Sequence, residues 1–132
     1  TADALAEAAS SIVSVMGASA ITCFTSSGST VRRVARERPS ASILALTPRS
    51  DTARKLGLTW GVHAVRTKDI GNFEEMIGKA RRMALRHGMS EKGGKIVVLA
   101  GVPFGTPGST NVLHVAAIRG DELKGRDESP SF

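Results

Sequence analysis

Five hydroxyl side chains and one glycine fill six consecutive positions where a short apolar strand is predicted to lead into a helix. Hydroxyls, backbone N–H groups and the positive end of a helix dipole together suit an oxyanion such as phosphate. Gly28 would let the backbone approach such a ligand closely. The spacing therefore favours anion binding, and helix capping by Ser27 or Ser29 is the alternative. The candidate phosphate-binding residues are Thr25, Ser26, Ser27, Gly28, Ser29 and Thr30.

A second loop, "GVPFGTPGST" at residues 101–110, contains three glycines, two prolines and further hydroxyls. One interpretation is a long connection stiffened by proline. The other is a flap that folds over a ligand held by the first loop. Composition alone leaves both open. The candidate flap residues are Gly101, Gly105, Thr106, Gly108 and Ser109.

No other arrangement of reactive side chains stands out. A nucleotide-binding P-loop is absent, because no GxxxxGK stretch follows a strand. Cys23 lies inside a predicted strand and is expected to be a small core residue. His63, His87 and His114 include no pair at metal-ligand spacing, so we expect structural roles and no metal site. Without a Ser/His/Asp or paired-carboxylate pattern, the chain is expected to have no catalytic residues.

Positive charge dominates the sequence, with a formal charge of +6 and a pI near 10.3. This allows anionic partners without specifying them. Arg32, Arg33, Arg36 and Arg38 could form a phosphate-facing patch or simply a solvated helix face. Aromatic residues make up only 4% and tyrosine is missing. Surfaces on which bases could stack are therefore poorly supported, and nucleic acid is not an expected partner.

The length of 132 residues suits one domain with a real core. No apolar run approaches the roughly 20 residues that span a bilayer, so no membrane association is expected. The first residues lack a basic region typical of a signal peptide. A single cysteine fits a reducing compartment. These features predict a cytoplasmic protein.

Alternating periodicity predicts an α/β fold with three layers, α/β/α, around a mostly parallel five-stranded sheet. The loop before the fifth strand is too short for a usual crossover, so that strand should be an antiparallel edge. We predict one domain at 1–120 and a polar C-terminal tail at 121–132. The predicted helices are 2–17, 30–38, 50–57 and 70–87, and the predicted strands are 20–25, 42–47, 61–66, 95–101 and 112–118.

The order of several short motifs resembles the C-terminal domain of pyruvate kinase over roughly residues 4–118. The family pattern has a T-x-S-G-x-[ST] loop, a helix ending in R-P, an I-x-A-x-T strand and a T-A-R helix. A G-V strand, a strand ending in glycine and a T-N edge strand follow. The matching stretches here are residues 25–30, 38–39, 43–47, 52–54, 61–62, 94–101 and 110–111.

The resemblance implies a regulatory and oligomerisation domain that is not catalytic by itself. The parent enzyme transfers phosphate from phosphoenolpyruvate to ADP on a separate barrel that uses Mg and K ions, and this chain would hold no cofactor. In effector-binding members, the loop matching 25–30 holds a phosphate and the loop matching 101–110 closes over the ligand. The implied partners are a phosphorylated effector (a sugar phosphate or AMP), the catalytic barrel and further copies of the chain.

The sequence departs from the family pattern at three places. Ser26 and Ser29 stand where many effector-binding members have a basic residue. Gly94 replaces a frequent Asp. The segment "TKDIGN" at 67–72 is short, so we do not expect a further basic ligand from it. The alternative function is an autonomous enzyme or nucleotide-binding module for phosphate compounds on the same doubly wound scaffold.

Overall fold

The computed structural model describes residues 2–101 and 110–119, and in them helices and strands alternate as predicted. The predicted tail at 121–132 lies outside these residues. The helices are α1 (Ala2–Met16), α2 (Ser29–Arg36), α3 (Ser50–Leu56) and α4 (Phe73–Arg86). The strands are β1 (Ala20–Phe24), β2 (Ser42–Thr47), β3 (Val62–Arg66), β4 (Lys95–Ala100) and β5 (Val112–Ala117).

Two predicted helix boundaries differ from the structure by more than one residue. Helix α4 begins at Phe73 rather than at residue 70, because Asn72 is extended and its side chain accepts a hydrogen bond from the Glu75 N–H at 2.8 Å. This cap fixes the start of the helix. Helix α2 ends at Arg36 rather than at Arg38, since Arg38 adopts a left-handed backbone conformation with φ 50°. Both errors reflect local capping geometry.

The strands form one sheet in the order β3-β2-β1-β4-β5. Strands β1 to β4 are mutually parallel, and β5 pairs antiparallel with β4, as the short connection predicted. The predicted α/β fold with an antiparallel edge is therefore confirmed. The order of strands reverses direction between β1 and β4. In open α/β sheets this is the point where ligands bind, beyond the carboxyl ends of the strands.

Helices cover both faces of the sheet and create two apolar layers. Apolar residues recur at helical spacing and are buried, which explains why these segments form amphipathic helices. The first layer contains Ala6, Ala9 and Val13 of α1, Val31 and Val34 of α2, and Leu56 of α3, packed with Ile21, Cys23 and Ile43. The second contains Met76, Ala80 and Met83 of α4, packed with Leu44, Leu46, Ile96 and Val98.

Candidate functional site

The hydroxyl run begins as a direct extension of β1. The Thr25 N–H donates to the Leu46 carbonyl at 3.0 Å, which continues the pairing with β2 by one residue. The Thr25 side-chain oxygen then accepts the Gly28 N–H at 2.8 Å. This bond closes a tight turn and directs the chain into α2. Both the backbone N–H and the side-chain oxygen of Thr25 are therefore used in hydrogen bonds that fix the conformation of the loop.

Gly28 occupies the N-cap position of α2 in a left-handed conformation, with φ 90°. A Cβ atom there would lie 3.1 Å from Cδ2 of Leu56. The position therefore needs glycine for both backbone conformation and space. The N-cap residue itself therefore offers no side-chain hydrogen bond to the helix. The Ser29 N–H has a long contact of 3.4 Å to the Ser27 hydroxyl, so capping by Ser27 stays open beside anion binding.

Ser27 and Ser29 present their hydroxyls beside each other at the start of α2. The Ser27 hydroxyl lies 3.4 Å from the Ser29 hydroxyl and also 3.4 Å from the Ser29 N–H. Both distances are long for hydrogen bonds, so these groups are only weakly satisfied within the protein. Arg32 lies one turn along, with Nη1 3.4 Å from the Ser27 carbonyl oxygen. Two hydroxyls and a guanidinium therefore surround the positive end of the helix.

Thr30, in contrast, is buried and its hydroxyl hydrogen-bonds to the hydroxyl of Thr110. It connects α2 with the residues that enter β5. Ser26 is held through its carbonyl oxygen, which accepts from the Thr52 hydroxyl of α3 at 2.8 Å. The six predicted residues therefore divide between loop structure and exposed polar groups. Ser27, which is exposed, and Ser29, which is partly exposed, provide the accessible hydroxyls.

A pocket of about 110 Å3 opens beside this loop at the carboxyl edge of the sheet. It combines apolar walls with hydroxyls, one lysine and one aspartate. Gly101, the first candidate flap residue, lines it, while Gly105, Thr106, Gly108 and Ser109 lie outside the described residues. The lining residues are Phe24, Thr25, Ser26, Leu46, Pro48, Thr67, Lys68, Asp69, Ile70, Ala100 and Gly101.

Lys68 is a pocket residue that the sequence analysis missed. The sequence does offer a signal for Lys68. The segment 67–72 follows the carboxyl end of β3, and ligands bind beyond that end of the strands in open α/β sheets. Lys79 of α4 steadies the segment: its side chain is buried, and its ammonium lies 3.4 Å from the Lys68 carbonyl oxygen. Glu75 accepts the Gly71 N–H at 2.6 Å. The segment thus places a basic residue, Lys68, in the lining of the pocket.

Two arginines of the candidate patch, Arg33 and Arg38, contact different partners. Arg33 pairs with Asp3 of α1 at 3.0 Å. The Arg38 guanidinium lies over the ring of Trp60, 4.4 Å from its centroid. On the loop after β2, Arg49 pairs with Asp51 at 3.0 Å, and this hydrogen bond lowers the pKa of Asp51. Arg32, by contrast, lies beside the hydroxyl run.

The remaining candidate groups lie away from the pocket. Cys23 is fully buried, as predicted, and burial raises the pKa of its thiol to about 12. His63 and His87 approach each other, with Nε2 of His63 3.2 Å from Nδ1 of His87. Burial is the main reason that the pKa of His87 is lowered. His114 packs edge-on against Phe73. In the described part of the chain, no group of three or more potential metal ligands occurs.

Residues 3–116 match the family model described as "Pyruvate kinase, alpha/beta domain". The chain belongs to the pyruvate kinase family. It is 46% identical to a pyruvate kinase of Methylorubrum extorquens over 116 residues, which cover 88% of this chain and 24% of that protein. A pyruvate kinase of Agrobacterium vitis is 44% identical over 112 residues, covering 85% and 24%.

Structural comparison agrees with this assignment. A crystal structure of a pyruvate kinase from Cryptosporidium parvum matches with a TM-score of 0.79 and 26% identity, covering 89% of this chain and 22% of that one. The chain thus spans about a quarter of the length of these curated pyruvate kinases. Across the described residues, no helix is both long enough and apolar enough to cross a bilayer.

Proposed function

We propose that this chain is the regulatory and oligomerisation domain of a pyruvate kinase and binds a phosphorylated metabolite at the pocket beside residues 25–30. One observation carries the proposal. The N-terminus of α2, whose N-cap residue Gly28 has no side chain, lies with the hydroxyls of Ser27 and Ser29 at the strand edge where Lys68 also lines the pocket. An anion at this edge would meet hydrogen-bond donors and positive charge.

The bound phosphate would accept hydrogen bonds from the Ser27 and Ser29 hydroxyls and from the first N–H groups of α2. The dipole of α2 and the Arg32 guanidinium would add attraction for a negative charge. Thr25, Gly28 and Thr30 would act indirectly by fixing the loop, since their polar groups or space are already used within the protein.

The remainder of the ligand would lie over the apolar wall of the pocket. Phe24, Leu46 and Ile70 would contact a sugar or nucleoside, and Lys68 would face a second anionic group. This division of polar and apolar contacts is usual for small-molecule sites. A sugar phosphate or AMP is the ligand class that the arrangement suits. Residues 101–110 would close over it as a flap.

Catalysis would belong to the parent enzyme, which transfers phosphate from phosphoenolpyruvate to ADP with Mg and K ions on a separate barrel in the cytoplasm. The isolated chain would have no such activity. Effector binding would change activity by favouring one of two arrangements of the subunits, through differential affinity for the two states. The domain would therefore contact both the barrel and further copies of itself.

Thermal unfolding with and without ligand tests effector binding. A ligand at about 100 times its Kd adds about 2.7 kcal/mol, which should raise the Tm by on the order of 5–10 °C. Sugar bisphosphates, sugar monophosphates and AMP are screened at low salt, with sulfate as a generic anion. We expect one of these metabolites to raise the Tm more than sulfate does.

Paired variants locate the binding. Ser27→Ala with Ser29→Ala should remove the shift, while Ser40→Ala, at an exposed serine distant from the pocket, should retain it. Lys68→Gln should weaken binding, whereas Lys55→Gln on the exposed side of α3 should not. The proposal fails if no phosphorylated metabolite raises the Tm, or if the double serine variant responds like the original chain.

A further inference from the structure

His63 and His87 come together from two different elements, one at the exposed edge of the sheet and one at the end of α4. His63 lies on β3, which is the outer strand of the sheet, and is exposed. His87 is the C-terminal cap residue of α4 and is partly exposed. Nε2 of His63 lies 3.2 Å from Nδ1 of His87, and the ring centroids are 4.9 Å apart.

These two distances differ from those of a straight hydrogen bond between imidazoles. A linear N–H···N bond of this length would separate the ring centres by about 5.5 Å. Two imidazoles on one metal ion, each bound at about 2.0–2.1 Å with a near-tetrahedral angle, have their nitrogens about 3.3 Å apart and their ring centres about 5 Å apart. The observed contact is a bent hydrogen bond in which one facing nitrogen donates to the other, and its 3.2 Å N···N and 4.9 Å centroid distances also lie close to those of two imidazoles on one ion.

We propose that His63 and His87 form a two-histidine chelate for a divalent transition-metal ion of the Zn2+, Ni2+ or Cu2+ class. Imidazole nitrogen suits these ions, whereas Mg2+ prefers oxygen ligands. Each neutral ring carries its hydrogen on one nitrogen only. With hydrogens on Nδ1 of His63 and Nε2 of His87, both facing nitrogens are free to bind the ion, and no net proton has to leave.

The surroundings set the character of the site. Arg86 is adjacent to His87 and opposes a cation by charge repulsion. The C-terminal carbonyl end of α4 attracts one, because the helix dipole is negative there. Since no third His, Cys, Asp or Glu completes a cluster among the described residues, water would occupy the other coordination positions. The site would be open and exchangeable, and the ion would bridge β3 to α4.

Titration of the chain with Zn2+ alone, followed by calorimetry, tests the chelate. We expect one site, and we expect His63→Gln and His87→Gln each to lower the affinity by about tenfold or more, because the second ligand no longer acts at high effective concentration. His114→Gln is the matched control and should bind as the original chain does, since His114 contacts Phe73 instead. Mg2+ should produce no binding heat.

A second measurement is independent of the variants. Pulsed electron paramagnetic resonance on the unmodified chain with one equivalent of Cu2+ counts the coordinated imidazoles, and two are expected. One imidazole or none would overturn the proposal. The proposal would also be overturned if no Zn2+ binding were measured at Zn2+ concentrations up to about 1 mM, because even a weak site is partly filled at that concentration. The proposal would likewise be overturned if His63→Gln or His87→Gln bound Zn2+ as tightly as the original chain does.

Discussion

The hydroxyls of Thr30 and Thr110 hydrogen-bond to each other although 80 residues separate them in the sequence. Both side chains are buried. The bond connects the start of α2, beside the candidate phosphate loop, with the segment that enters β5. The two places are therefore in direct contact through buried polar groups.

The first prediction follows from this pair. Thr30→Val leaves the Thr110 hydroxyl buried without its partner, which should lower the free energy of unfolding by about 1–3 kcal/mol. Thr110→Val should have a similar effect. Valine at both positions removes both hydroxyls, so the double variant should be more stable than the sum of the two losses predicts. Urea unfolding of the four proteins measures this coupling, and strict additivity would contradict it.

The second prediction concerns Gly28. A side chain there would cause both backbone strain and a steric contact, and a matched variant separates the two effects. Gly28→Ala should cost about 1–2 kcal/mol for the left-handed conformation, and more because its Cβ would lie 3.1 Å from Leu56. Gly17→Ala is the matched control, since Gly17 has φ 69° and open space around its Cβ position. Urea unfolding should show the larger loss at Gly28. Equal losses would mean that Leu56 moves aside freely.

The third prediction uses the buried thiol of Cys23. Its pKa is about 12 in the folded chain, against an ordinary value of 9.0, because burial disfavours the thiolate. Well below pH 9 the thiol is neutral in both states and does not affect stability. As the pH rises from about 9 to 12 the unfolded state ionises first, so the free energy of unfolding should decrease.

Cys23→Ala provides the control for this pH dependence, since other groups also titrate in the same range. The original chain should lose stability more steeply than the variant between pH 9 and 11. In addition, thiol reagents at pH 8 should react with the folded chain only at the rate of unfolding. Rapid modification of the native protein would show that Cys23 is accessible.

The fourth prediction concerns the cap of α4, which positions the pocket segment 67–72. Asn72→Ala should lower the free energy of unfolding by about 1 kcal/mol, because the Glu75 N–H loses its acceptor. Asn72→Asp keeps an acceptor and adds negative charge at the helix start, so it should retain stability. Chemical denaturation distinguishes the two. If both variants lose stability equally, the amide nitrogen of Asn72 matters and the cap does not.

Local patterns were sufficient to predict the fold. The strand Ser42–Thr47 contains an uninterrupted apolar run at residues 43–46 because helices cover both faces of the sheet, and its predicted bounds agree with the structure. The strand β5 was predicted to be antiparallel because its connection is short. Each of these inferences depends on neighbouring residues only, so the sequence alone supports them.

The contacts of the candidate site depend on which distant segments become neighbours. Lys68 reaches the pocket because β3, β2 and β1 are adjacent in the sheet. His63 and His87 meet because α4 ends near the edge strand. Neither contact can be inferred from the spacing of these residues along the sequence. The different roles of residues 25–30 could not be predicted for the same reason. Thr30 hydrogen-bonds to Thr110, which lies 80 residues away in the sequence.

The position of β1 in the middle of the sheet also governs how the chain acquires its structure. Ala20 of β1 pairs with Ser42 on one side and with Ile96 on the other. During synthesis, β1, β2 and β3 can assemble early, but Leu44 and Leu46 face the layer that only α4 later covers. An incomplete chain therefore exposes an apolar sheet face and the open edge of β1, both of which favour aggregation. Pairing across such long sequence separations is slow. The nascent chain therefore remains prone to aggregation until β4 and β5 have paired.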